Sequence, residues 1–289
     1  MSVQQSYRSA EKGSLVSLAV NGALFVFKMF AGIAGNSNAM IADALDTLGD
    51  SMTSTGMLVG FKIAKRPADA DHPYGHGKAE SIIAKLLAIF LIVLGVQMAA
   101  RSIHIFISHT IYIPSVLALV AAVVSIMVKI GLFQYTNVLG RKISSTAMTV
   151  YSWNIAADVF SSTAALIGIA GARMGWPLLD PIAAFIISLL VIRTGFEGFH
   201  RAYDELMDGA PSSSTIEGIK KIAVKNKDIK KIKDIKVRKM GLDLIIDMTI
   251  AVNKDMTVEK GHDITDVVRA DIIKKIPSAK EVFIHVEPF

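Results

Sequence analysis

The sequence predicts a membrane all-α domain of six transmembrane helices followed by a C-terminal cytoplasmic α+β domain. Three observations carry that prediction. The 289 residues are 52 % apolar, with a mean hydropathy of +0.47. Only 19 % are charged, against roughly 25 % in soluble domains. The apolar residues gather in six long stretches before about residue 200, each near the ~20 residues a helix needs to cross a bilayer. The rest of the chain is Lys-rich with alternating patterns, which sets a boundary between residues 1–206 and 207–289. Cysteine is absent, so disulfides, thiolate metal sites, iron–sulfur clusters and cysteine nucleophiles are excluded.

The six stretches run over 14–35, 38–63, 80–103, 113–136, 147–172 and 177–199. None carries the short apolar core and small-residue cleavage site of a signal peptide. Lys and Arg set the orientation, because short cytoplasmic loops hold them in excess. The second connection holds Lys62, Lys65, Arg66 and Lys78, the fourth Arg141 and Lys142, and the last stretch exits at His200-Arg201. The first connection is uncharged, the third has Arg101 at its edge, and the fifth has Arg173. The even connections and both termini are therefore expected in the cytoplasm, with the chain in the cell's inner (plasma) membrane.

The tail reads αββαβ. Ser214-Thr-Ile-Glu217 matches a capping box and opens a helix to about Lys227. Residues 231–239 alternate polar and apolar, a strand signal. Gly241-Leu-Asp243 makes a turn into a second strand over 244–252. A helix from about Thr257 to Lys275 follows, ended by Pro277, and residues 281–287 form a last strand. The ten Lys and Arg between 220 and 239 read as a solvated basic face near a membrane surface, not a nucleic-acid site.

The informative residues are acids within apolar stretches. An acid at mid-bilayer costs about 2.5–3.5 kcal/mol even on lenient insertion scales. Asp46 and Asp50 are four apart in the second stretch, so they share one helix face. Asn154 and Asp158 repeat the spacing in the fifth. Two facing helices then present four oxygen-bearing groups at one level, as many as a tetrahedral cation site takes. Like charges so close stay ionised only if a cation or proton neutralises them. A divalent cation and protons thus compete for the same carboxylates. The competing structural reading pairs the acids with Lys28, Lys85, Lys129 or backbone groups. Asp43, one turn before Asp46, is a spare ligand or a packing group outside this set. Intramembrane aspartyl proteases also use acids on separate helices, but Thr47-Leu48-Gly49 before Asp50 lacks their Gly-x-Gly-Asp pattern, so an enzyme is not expected.

Asp46-x-x-x-Asp50 and Asn154-x-x-x-Asp158 resemble the metal-site pairs of the cation diffusion facilitator family. The run from Pro67 through Asp69, His72, His76 and Lys78 to Glu80 resembles that family's loop after the second span. The resemblance covers Ser14 to Pro288. It implies a homodimeric antiporter that exports divalent metal against an inward proton gradient, with a metallochaperone-like cytoplasmic domain. It implies alternating access of the Asp46, Asp50, Asn154 and Asp158 site. Lys78 and Asp208 match a charged interlock that holds the dimer together. Asn154 stands where zinc- and iron-handling members usually carry His. The site is then all oxygen, and carboxylate and carbonyl ligands suit manganese where imidazole suits zinc. Mn²⁺ is therefore favoured, with Zn²⁺ or Fe²⁺ next.

Two secondary metal positions are expected. Asp69, His72 and His76 stand at offsets of three and four in a loop, enough ligands for one surface ion. In the tail, Asp247, His262, His285 and Glu287 match the family's regulatory metal positions at the dimer interface, while Lys233 and Thr249 replace ligands of the zinc members. Tyr151 and Trp153 are read as packing groups beside Asn154. The rival function from another class is a non-transporting partner subunit of a related transporter. Retention of three site acids speaks against it.

Overall fold

The computed structural model describes residues 3–64, 66–108, 112–142, 146–240 and 243–289, with some side chains of the first, second and fifth helices outside that description. The expected turn residues Gly241 and Leu242, and the side chains of Lys62, Lys65 and Tyr151, lie outside the described residues. The chain divides into two compact units, Met1–Gly56 with Leu86–Phe199 and Met57–Lys85 with His200–Phe289.

Each apolar stretch is a helix: α1 Val3–Ala34, α2 Asn38–Ala64, α3 Ala79–Ser108, α4 Val116–Lys142, α5 Thr146–Arg173 and α6 Leu179–Leu206. Several run past the apolar stretch that marks them, α1 by more than two turns at its start. Apolarity tracks contact with lipid, whereas a helix continues wherever its own backbone hydrogen bonds do. α4 starts later than expected because Pro114 biases the residue before it away from helix. Among the described residues, α1, α3, α4, α5 and α6 are long and apolar enough to span a bilayer.

The first unit is packed through small residues. Ala31, Ala39, Ala42, Ala118, Ala121, Ala122, Ala165, Ala183 and Ala184 are buried together. Lipid tails are as apolar as a protein core, so membrane helices gain from close backbone approach instead. Phe30, Ile33, Phe160 and Ile167 are exposed, as a lipid-facing surface requires. At the α3–α6 crossing a Cβ on Gly195 would stand 2.7 Å from Ile92 Cγ1 and 3.1 Å from the Ala88 carbonyl oxygen. At one end of the bundle, buried Asp180 accepts hydrogen bonds from Ser37 Oγ at 2.6 Å and from Asn38 N at 2.7 Å. It thereby satisfies free N–H groups at the start of α2.

The second unit holds the tail: α7 Ser213–Ala223, β1 Lys231–Met240, β2 Asp243–Val252, α8 Val258–Lys275 and β3 Ala279–Pro288. The αββαβ order is as expected. The sheet runs β1-β2-β3, with β1 antiparallel and β3 parallel to β2. Parallel pairing of consecutive strands needs a crossover, and α8 supplies it. Ile246, Ile250, Val252 and Val282 on one sheet face pack with Ile264, Val268 and Ile272 of α8 and Ile219 of α7. The capping box at Ser214 does not form. The helix opens a residue earlier, at Ser213, with Ser212 as N-cap and no side-chain cap bond, and Glu217 instead accepts from Lys220 Nζ at 2.8 Å. α8 does carry a cap: Thr257 accepts from Lys260 N at 3.3 Å.

Gly195→Ala is expected to overpack the α3–α6 crossing and to cost about 1–3 kcal/mol. Gly131→Ala, where nothing lies within 4 Å, is expected to leave stability unchanged or raised. Thermal unfolding of the detergent-solubilised chain measures both.

Candidate metal centre

Two buried lysines organise the charges of the helical unit, and they are held differently. Lys28 of α1 stands 2.7 Å from Asp43 Oδ2. It donates to Thr47 Oγ1 at 2.9 Å and Ser162 Oγ at 3.2 Å. Ser162 in turn donates to Asp43 Oδ1 at 2.8 Å. The ammonium is thus both ion-paired and hydrogen-bonded. This network ties α1, α2 and α5 together and uses Asp43 as a counter-ion. Asp43 therefore stays outside the metal set, and for this acid the pairing with Lys28 is the correct reading.

Asp46 and Asp50 of α2 and Asp158 of α5 are half-buried. The carboxyls of Asp46 and Asp50 both lie within interaction range of Asp158. Two carboxyls face each other in this way only with a proton or cation between them. Into the same group reaches Lys129 of α4, fully buried, its Nζ 3.7 Å from Asp158 Oδ2. The sequence treated Lys129 only as a structural partner. The signal that could have raised it is the cost of a lysine inside an apolar helix. Asn154, one turn before Asp158, is exposed, and no described contact joins it to the three acids. Its neighbour Trp153 is exposed too, against Phe133 at 5.7 Å between ring centroids.

The loop before α3 is the tightest ligand cluster. Among the described residues, Asp69, His72 and His76 form the one group of three His, Asp or Glu ligands whose atoms all lie within 4.8 Å of one another. His72 Nδ1 is 3.2 Å from Asp69 Oδ1, and His76 Nε2 is 3.5 Å from Asp69 Oδ2. A tetrahedral ion with bonds of about 2.0–2.1 Å sets its ligands about 3.3–3.4 Å apart, so the spacing fits. Gly75, at φ +84°, turns the chain between the two histidines, a conformation glycine adopts freely. The hydrogen bond from the His72 backbone N–H to Asp69 holds that carboxyl below the usual carboxylate range. It is ionised, and able to ligate, at neutral pH.

Lys78 Nζ lies 3.0 Å from Asp208 Oδ1 and Arg238 3.5 Å from its Oδ2. This charged link closes within one chain, between the start of α3, the end of α6 and β1. Asp208 adopts φ +59°, a left-handed turn that Asp tolerates.

The four tail residues fall on two layers. Asp247 on β2 pairs in register with Phe283, and Thr249 with His285. Asp247, His285 and Glu287 thus share the sheet face opposite the core, because alternate strand residues point the same way. His262 lies on α8, largely exposed, 3.3 Å from Asp266. One chain does not bring all four to a single ion. Glu287 is engaged besides: Lys233 Nζ stands 2.6 Å from its Oε2, and that hydrogen bond holds the Glu287 carboxyl below the usual range.

The family description "Cation efflux transmembrane domain" matches residues 14–207, and "Cation efflux protein, cytoplasmic domain" matches residues 211–289. The chain is 31% identical to the uncharacterized transporter YdbO of Bacillus subtilis, over 98% of this chain and 97% of that one. It is also 31% identical to the manganese efflux system protein MneP of the same organism, over 97% and 96%. A solved cadmium form of a MamM CTD is 23% identical, covering 27% of this chain and 96% of that one with a TM-score of 0.26.

Lys28→Met is expected to leave Asp43 buried without its counter-ion and to cost about 3–5 kcal/mol. Adding Asp43→Asn to Lys28→Met is expected to restore most of that loss. Thermal unfolding of the single and double variants measures it.

Proposed function

The chain belongs to the cation efflux family, whose members are transporters and not enzymes, and from that premise we propose that it exports Mn²⁺ by proton antiport as a homodimer. The observation that carries the proposal is the meeting of Asp46, Asp50 and Asp158, from two helices, inside the helical bundle. These acids are the transport ligands. Asn154, one turn before Asp158 on α5, is the fourth. The donor set is then all oxygen, which suits manganese better than zinc. The likeness to MneP supports the same metal.

Proton coupling follows from the carboxyls. Asp50 and Asp158 share a proton when no cation lies between them, and an entering dication replaces it. Without an imidazole in the set, carboxylates alone carry this exchange. The even connections and both termini face the cytoplasm of the cell that holds the chain in its plasma membrane. Asp69, His72 and His76 bind a second ion at that surface. Asp247, His262, His285 and Glu287 form a weaker regulatory position that needs both copies of the tail, and Lys78 with Asp208 braces the helix ends beside it. Zn²⁺ or Fe²⁺ export by the same site is the second reading, and the imidazoles of the loop favour zinc there.

Uptake of Mn²⁺, Zn²⁺ and Fe²⁺ into proteoliposomes under an imposed pH gradient tests this. Manganese uptake that collapses with the gradient is expected. Uptake of no metal would leave the chain as a regulatory partner subunit. Asp50→Ala is expected to abolish uptake while the protein remains folded and dimeric by size-exclusion chromatography. Asn154→His is expected to shift relative affinity from manganese toward zinc; unchanged selectivity would mean these ligands are not the filter.

A further inference from the structure

Lys129 has no place in the function just described. Its side chain is fully buried. Among the described residues its Nζ has no hydrogen-bond partner. A buried ammonium is expected to be both paired and hydrogen-bonded. Lys28 meets that expectation, with oxygens at 2.7, 2.9 and 3.2 Å. Lys129 is held instead by charge alone, 3.7 Å from Asp158 and within Coulombic reach of Asp43, Asp50 and Asp46.

We infer that Lys129 is a tethered counter-cation of the transport site, occupying the field of Asp46, Asp50 and Asp158 between cargoes and yielding Asp158 to an entering dication. The inference rests on the reading of these acids as transport ligands. Three features favour it over a purely structural lysine. The contact with Asp158 is an ion pair without a hydrogen bond, so a dication can displace it without breaking a directed bond. The side chain is a flexible four-carbon stem carrying a compact charge, which can retract while the helices stay still. The charges also balance: three carboxylates and one ammonium leave two negative charges, which one dication neutralises. A site without Lys129 would keep one negative charge around the bound ion and hold it more tightly. The lysine therefore lowers affinity and eases release, which a transporter needs and a storage site does not.

The test is Mn²⁺ binding to the full-length protein in detergent, followed by calorimetry and by thermal unfolding with and without Mn²⁺. The relevant component is the one that Asp50→Ala removes. In Lys129→Met its Kd is expected to fall by at least about tenfold, equivalent to about 1.4 kcal/mol. The metal-free melting temperature is expected to drop, and saturating Mn²⁺ to restore it. Lys129→Arg, which keeps the charge, is expected to stay near the wild-type Kd. An unchanged or weaker Kd in Lys129→Met, or a melting loss that Mn²⁺ does not repair, would overturn the inference. If Lys129→Met does not fold, the double variant Lys129→Met/Asp158→Asn decides. Recovery of folding supports a counter-charge role, and failure to fold assigns the lysine to packing. A wild-type protein with no Asp50-dependent component would instead sink the transport-site reading itself.

Discussion

Charge inside a low-dielectric bundle must be matched at short range, because neither lipid nor a packed helix interface solvates an ion. Among the described residues, Asp43, Asp46, Asp50 and Asp158 meet that constraint together with Lys28 and Lys129, and it is resolved unevenly. Lys28 is ion-paired with Asp43 and hydrogen-bonded to Thr47 and Ser162, and the result is a brace across three helices. Asp46, Asp50 and Asp158 are matched only in part by Lys129. The second group keeps a residual demand for positive charge, and a site that binds and releases cations is built from such a demand.

The two units handle positive charge by related means. In the helical unit a lysine stands among the acids that form the candidate transport site. In the tail, Lys233 stands 2.6 Å from Glu287, where an ion would otherwise meet that carboxylate. Lys233 reaches it at the β-bulge between Ile232 and Asp234, which breaks the alternation of β1. Among the described residues, Asp69 is ion-paired with His72 and His76 and with no lysine, and its spacing to the two imidazoles fits a small ion.

Much of this was legible in the residue order. Hydropathy located six helices, and alternation with Gly and Pro punctuation located the tail strands, because lipid burial and sheet pleating impose their periods on the sequence locally. The spacing of Asp46 with Asp50 put both on one face of α2, and the resemblance of the loop singled out Asp69, His72 and His76. The capping box at Ser214 misled because a four-residue pattern does not fix where the first helical turn closes. His262 stands on α8 while Asp247, His285 and Glu287 stand on the sheet, a separation that a linear chain does not display.

What the sequence determined by itself was the list of elements and the candidates for chemistry among their side chains, since both follow from local pattern and residue type. Which acid meets which lysine was decided only by tertiary structure. Asp43 and Asp46 are one turn apart on the same helix, yet one is locked to Lys28 and the other lies beside Lys129 and Asp158. That division depends on how α1, α4 and α5 are rotated against α2. Rotation is set by the packing of small residues along the whole bundle, which no short stretch of sequence encodes.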